Sequence, residues 1–121
     1  MKIIVRITEN FKSEVKPLLK KYKSLASDLL KLEKELIRNP KIGTPLGGNV
    51  YKIRLKISSK NRGKSGGARV ISMVDTMLVG IVDSSTEDEV FVHLLSIYDK
   101  SDVANISDKE LKDLIKTFRN Q

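Results

Sequence analysis

The stretch VYKIRLKI, residues 50–57, alternates without a break, with Tyr51, Ile53, Leu55 and Ile57 on one side and Lys52, Arg54 and Lys56 on the other. A period of two is that of a β-strand with one face buried. Three cations in a row repel one another unless acids stand opposite them on the next strand. The next β-like segment, from Ala68 to about Val82, is rich in Val, Ile and Met, and it offers Arg69, Ile71 and Met73 before its first acid, Asp75. The alternation therefore predicts a sheet face that carries uncompensated positive charge and suits an anion.

Net charge agrees with this and localises it. The chain of 121 residues has a formal charge of +8. Residues 1–70 contain 18 Lys and Arg against 5 Asp and Glu, whereas residues 71–121 contain 5 against 10. Seven of the 18 residues from Lys52 to Arg69 are basic and none is acidic, so a polyanion site belongs there. Other classes are disfavoured. The chain has no cysteine and one histidine, His93, which argues against a disulfide framework, a thiolate zinc site or a multi-histidine metal centre; neither a metal nor another cofactor is expected. Its apolar runs are far shorter than the roughly 18 residues of a spanning helix. The opening MKIIVRITEN is interrupted by Arg6 and Glu9 too early for a secretory signal, so a cytoplasmic protein without membrane partners is expected.

Outward from residues 50–57, the length fits one domain over residues 1–121. Lys2 to Ile7 alternates as a short strand. Thr8 and Glu9 open a helix in which Phe11, Val15, Leu18, Leu19 and Tyr22 form one stripe; Pro17 predicts a kink or two shorter segments. A second helix from Ser24 to about Arg38 carries Leu25, Leu29, Leu32 and Leu36 on one face, and Asn39-Pro40 ends it. Gly43 to Gly48 reads as a turn-rich loop and SSKNRGKSGG, residues 58–67, as a basic loop disordered in the free protein. Residues 84–88 form a polar turn between the Ala68 segment and a strand from Glu89 to Tyr98. Ser107 and Glu110 have capping-box spacing ahead of Leu111, Leu114, Ile115 and Phe118, a terminal helix. The predicted fold is α+β, in the order β-α-α-β-β-β-α, a small twisted antiparallel sheet with the N-terminal helical hairpin on one face and a C-terminal helix.

Two local features carry less. Gly63-Lys64-Ser65 has the ending of a phosphate-binding P-loop, but the pattern requires glycine where Ser58 stands, and a strand follows instead of a helix. His93 alternates with Phe91 and Leu95 and reads as a packed or hydrogen-bonded imidazole. Tyr98 and Lys100 end the last strand beside basic neighbours, where Tyr98 suits either a ligand or a lid on the core.

The order of elements, together with VYKIRLKI, GKSGGARVI and LLSIYDKSDVANIS, resembles the RelE/ParE superfamily of type II toxin–antitoxin toxins, in its RelE/HigB-like branch. The resemblance spans nearly the whole chain, and KSGGARVI followed by IYDKS and a capped helix is its most specific part. It implies a twisted sheet under a helical hairpin, an mRNA endoribonuclease that acts on the ribosome without a metal and inhibits translation, and a cognate antitoxin as partner, with an acidic segment covering the basic face. By position, Lys52 and Arg54 match the two basic positions of the second strand, Arg69 the arginine opening the third, and Lys100 a basic position after the fourth. The implied roles are Lys52 as general base, Arg54 and Arg69 on the scissile phosphate, and Lys100 as charge stabiliser or acid, with Lys56, Arg62, Lys64 and Tyr98 holding the RNA. A lysine among other cations is easier to deprotonate, which suits a base. One element departs from the pattern, because the tyrosine that the best-known RelE enzymes carry six residues after the last basic position is Ile106 here. Two alternatives share the fold, a ParE-like inhibitor of DNA gyrase, against which the retained Lys52, Arg54 and Arg69 argue, and a non-catalytic RNA-binding module that kept the basic face.

Overall fold

The computed structural model describes residues 2–60, 67–79, 87–103 and 105–120. Five strands form one sheet in the order β1-β5-β4-β3-β2, where β1 is Lys2–Ile7, β2 Thr44–Gly47, β3 Val50–Leu55, β4 Ala68–Val79 and β5 Glu87–Asp99. Helices α1 (Glu9–Lys21) and α2 (Leu25–Arg38) follow β1, and α3 (Asp108–Arg119) follows β5. The expected α+β fold is present, with the helical hairpin on one sheet face.

Local chemistry accounts for the helix ends. The Thr8 hydroxyl accepts from the Phe11 amide at 3.2 Å and donates to the Leu94 carbonyl at 3.0 Å, so one side chain caps α1 and ties it to β5. Ser107 caps α3 by accepting from the Glu110 amide at 3.1 Å. Pro17 does not break α1, which runs as one helix. The Ser13 carbonyl, whose usual donor a proline at position 17 lacks, lies on the exposed side where water can satisfy it.

Two apolar clusters sandwich the sheet. Phe11, Leu18, Leu25, Leu32 and Leu36 of the hairpin pack on Ile53, Leu55, Val70, Val92 and Ile97. Fully burying each such side chain is worth about 1.5–3 kcal/mol. The other face carries Val50, Ile71, Met73, Leu95 and Tyr98, against which Ile106, Leu111, Leu114, Ile115 and Phe118 pack. The face of β3 read as basic is thus apolar at Val50, and α3 covers part of it.

The sheet differs from the expected antiparallel one in two respects. β1 joins the edge parallel to β5, with Ile3 opposite Val90 and Val5 opposite Val92, because the helical hairpin carries the chain across one face before it returns. β2, expected as loop, pairs with β3. Gly48 and Asn49 connect these strands with φ of +58° and +64°, the two positive values that a tight two-residue hairpin requires. Pro45 is tolerated because β2 is an edge strand. Leu95 is an extra residue in β5, since Ile71 faces Ser96 and Ser72 faces Leu94. The turn expected at 84–88 lies partly outside the described residues; Glu87 and Asp88 belong to β5. No helix among the described residues is long and apolar enough to cross a membrane.

Candidate functional site

The registers of β3, β4 and β5 place Arg54 opposite Arg69, and Arg69 opposite Tyr98. Three strands thereby contribute one residue each to a single cross-strand row. Lys52 stands two residues along β3, opposite Ile71. Its ammonium donates to the Asn105 side-chain oxygen at 3.3 Å. Directly opposed like charges are unfavourable in a sheet.

Among the described residues no carboxylate pairs with this row. Among the described residues the ion pairs are Lys21 and Lys60 with Asp99, and His93 with Asp75, so Lys52, Arg54, Lys56, Arg69 and Lys100 have none. Arg69 is only 4% exposed, and its Nη1 donates to the Ala68 carbonyl at 3.1 Å. A buried guanidinium without a counter-ion carries a desolvation cost of several kcal/mol that an incoming anion relieves.

The surrounding residues hold the row in place. Gly67, with φ of +117°, precedes β4 where a Cβ atom would lie 2.6 Å from the Leu55 carbonyl oxygen, so glycine allows the two strand ends to close together above the arginines. The Lys100 amide donates to the Gly67 carbonyl at 3.0 Å, which brings the turn after β5 to the start of β4. Tyr98 is 9% exposed, and its hydroxyl accepts from the Ile106 amide at 3.4 Å. Its phenol thus reaches the backbone at Ile106, in the segment that leads into α3.

Of the residues singled out from the sequence, Arg54, Arg69 and Tyr98 share the row and Lys52 flanks it. Lys100 approaches through its backbone. Lys56 lies past the paired part of β3, exposed, in a shallow recess lined also by Arg54, Lys31 and Glu35. Arg62 and Lys64, with most of the basic loop, lie outside the described residues. His93 is a packed imidazole, its Nε2 3.2 Å from an Asp75 carboxylate oxygen and its ring 4.7 Å from that of Phe118. A separate recess between α1, β5 and α3 is lined by Glu14, Glu110 and Asp113, three carboxylates that suit it poorly to a polyanion.

Sequence reasoning missed Asp99 and Lys60. Asp99 is 2% exposed. Burial opposes its charge, but hydrogen bonds from Ser101, Tyr22 and Lys60 outweigh it and hold the carboxyl well below the usual carboxylate range. An acid ending a strand beside Tyr98 was the available signal, masked by the basic residues around it. Asp28 behaves similarly. Burial is set against hydrogen bonds from Ser58 and Ser24, which hold its carboxyl low and fasten the segment after β3 to α2.

Fold and row together define a small α+β protein with a cross-strand set of cations that have no carboxylate partner among the described residues. A family model described as the RelE toxin of the RelE/RelB toxin–antitoxin system matches residues 10–119. The chain belongs to the RelE family, and it is a toxin of a toxin–antitoxin system with an antitoxin as its partner. Toxins of this family are in general ribonucleases.

Proposed function

We propose that this toxin is a metal-independent endoribonuclease that cuts mRNA on the ribosome, in the cytoplasm of a bacterium, and so inhibits translation. A single domain, residues 1–121, carries the activity. The observation that supports this reading best is the Arg54–Arg69–Tyr98 row, with two opposed guanidinium groups and no carboxylate to neutralise them among the described residues.

Cleavage by attack of a ribose 2′-oxygen on the adjacent phosphorus requires removal of the 2′ proton, stabilisation of the crowded anionic phosphorane and protonation of the departing 5′-oxygen. Arg54 and Arg69 supply fixed positive charge for the phosphorane. Lys52, held by Asn105 beside the row, is the candidate base. Lys100 stabilises charge or donates the proton, and Tyr98 supplies the hydroxyl that Ile106 cannot. Lys56, Arg62 and Lys64 position the RNA backbone. The antitoxin presents acidic residues to this face, so the two proteins associate more weakly as salt rises.

Purified toxin added to a translating extract tests the proposal. Ribosome-dependent mRNA cleavage insensitive to chelator is the expected result. Inhibition of DNA gyrase without cleavage, or RNA binding without cleavage, would overturn it.

A further inference from the structure

The cations of this region divide into two groups. Lys52, Arg54, Arg69 and Lys100 have no carboxylate partner among the described residues, whereas Lys60 and Lys21 are engaged by the same one, Asp99. Asp99 closes β5, between Tyr98 of the row and Lys100.

Its carboxylate is buried and hydrogen-bonded on both oxygens. One oxygen accepts from Lys60 Nζ at 2.9 Å, from the Ser101 amide at 3.0 Å and from the Ser101 hydroxyl at 2.6 Å. The other accepts from the Tyr22 hydroxyl, with Lys21 Nζ at 3.9 Å. Four close donors hold it, three on one oxygen and one on the other. The side chain is fully buried, so no ribose hydroxyl reaches it and Asp99 is not a base of the reaction. Its contacts instead join three separate segments: Tyr22, the residue that caps the end of α1; Lys60, which follows β3; and the turn at Lys100 and Ser101. The same turn is bound to Gly67 through the Lys100 amide, and Ala68 faces Asp99 in the sheet.

We propose that Asp99 is the positioning residue of the site, a buried anionic hub that fixes Lys100 and the Tyr98 end of β5 relative to Arg69. Its catalytic consequence rests on the nuclease reading above; its positioning role does not. Because the hub is an anion set among cations, replacing its charge leaves the surface more positive. Loss of turnover therefore separates from loss of RNA affinity.

The test compares wild type, Asp99→Asn and the milder Tyr22→Phe, which removes one donor and keeps the ring in the core. Single-turnover cleavage on programmed ribosomes, affinity for a short single-stranded RNA, and amide hydrogen exchange are measured on each. Expected for folded Asp99→Asn is turnover lower by about 10²-fold, the scale of an ångström-sized misplacement, with RNA affinity unchanged or tighter. Tyr22→Phe shows the same split with a smaller loss. In both variants the Lys100 and Ser101 amides exchange at least about tenfold faster than in wild type, a loosening worth about 1.4 kcal/mol, while the amides pairing β4 with β5 keep their protection. Wild-type turnover in folded Asp99→Asn, or turnover and affinity falling together in Tyr22→Phe, overturns the catalytic consequence. If wild type does not cleave RNA, the nuclease reading fails. The exchange data still decide the hub, which is overturned if Lys100 and Ser101 remain as protected as in wild type. Where Asp99→Asn does not fold, Tyr22→Phe carries both measurements.

Discussion

Arg54 and Arg69 face each other in register across β3 and β4, and neither has a carboxylate partner among the described residues. A pair arranged this way weakens the fold it belongs to. Replacing Arg54 by Gln is expected to stabilise the protein by about 0.2–1 kcal/mol, the scale of a directly opposed cross-strand pair, seen as a higher urea midpoint. The same variant is expected to cleave more slowly. Arg69→Ala is expected to lose roughly 10²- to 10³-fold in cleavage, the scale of one transition-state donor. Cleavage at the wild-type rate by Arg69→Ala would remove this residue from the mechanism.

Tyr98→Phe isolates a hydroxyl. The Tyr98 oxygen accepts one long bond from the Ile106 amide, worth less than about 1 kcal/mol, so the melting temperature should barely move. Cleavage should fall about 10²-fold, the lower end of proton-transfer contributions. An unchanged rate in this variant means that the phenol takes no part.

Acid stability reports on Asp99. Against burial, the donors Ser101, Tyr22 and Lys60 hold its folded carboxyl below the usual range, while the unfolded chain titrates near pKa ~3.9. In acid the unfolded state binds more protons than the folded one, so the stability that this group contributes is complete above about pH 4 and is lost as pH falls further. Asp99→Asn should therefore flatten the dependence of the urea midpoint on pH between about 4 and 2. Asp28 contributes in the same direction, so the curve flattens without becoming level. Identical slopes in variant and wild type would contradict the assignment.

Ser72 offers a gain in stability unconnected with activity. Its side-chain oxygen is fully buried and has no hydrogen-bond partner among the described residues. Leaving a hydroxyl in that state costs about 1–3 kcal/mol. Ser72→Ala is expected to raise stability by about 1 kcal/mol with cleavage unaffected, checked by urea unfolding alongside the ribosome assay. A lower midpoint in the variant would refute it.

Most of the fold was legible because its signals are local. The stripe of Phe11, Val15 and Leu18, the leucines of α2, the cap at Ser107 and the alternation of residues 50–57 each fall within a window of a few turns or one strand. What escaped depends on partners distant in sequence. Nothing within Lys2–Ile7 shows that it lies parallel to β5, and nothing near Leu95 shows that it is the extra residue which shifts the register. The cost of Pro17 in a helix interior is readable in the sequence, whereas the solvent exposure that lowers this cost is a tertiary property. The cations at 52, 54 and 69 stood out by charge and spacing. The burial of Arg69 and the hub at Asp99 did not, since both depend on what folds over them.

The order of the sheet also sets a schedule. β5 lies between β1 and β4, so β1 has no neighbour in this sheet until β5, made well after it, arrives. At about 5–20 residues per second, the N-terminal helices wait several seconds for the surface they cover. Arg69, though already synthesised, has no Tyr98 beside it during that interval. The row that joins Arg54, Arg69 and Tyr98 is therefore complete only once β5 has been made, whatever the rate at which β3 and β4 pair.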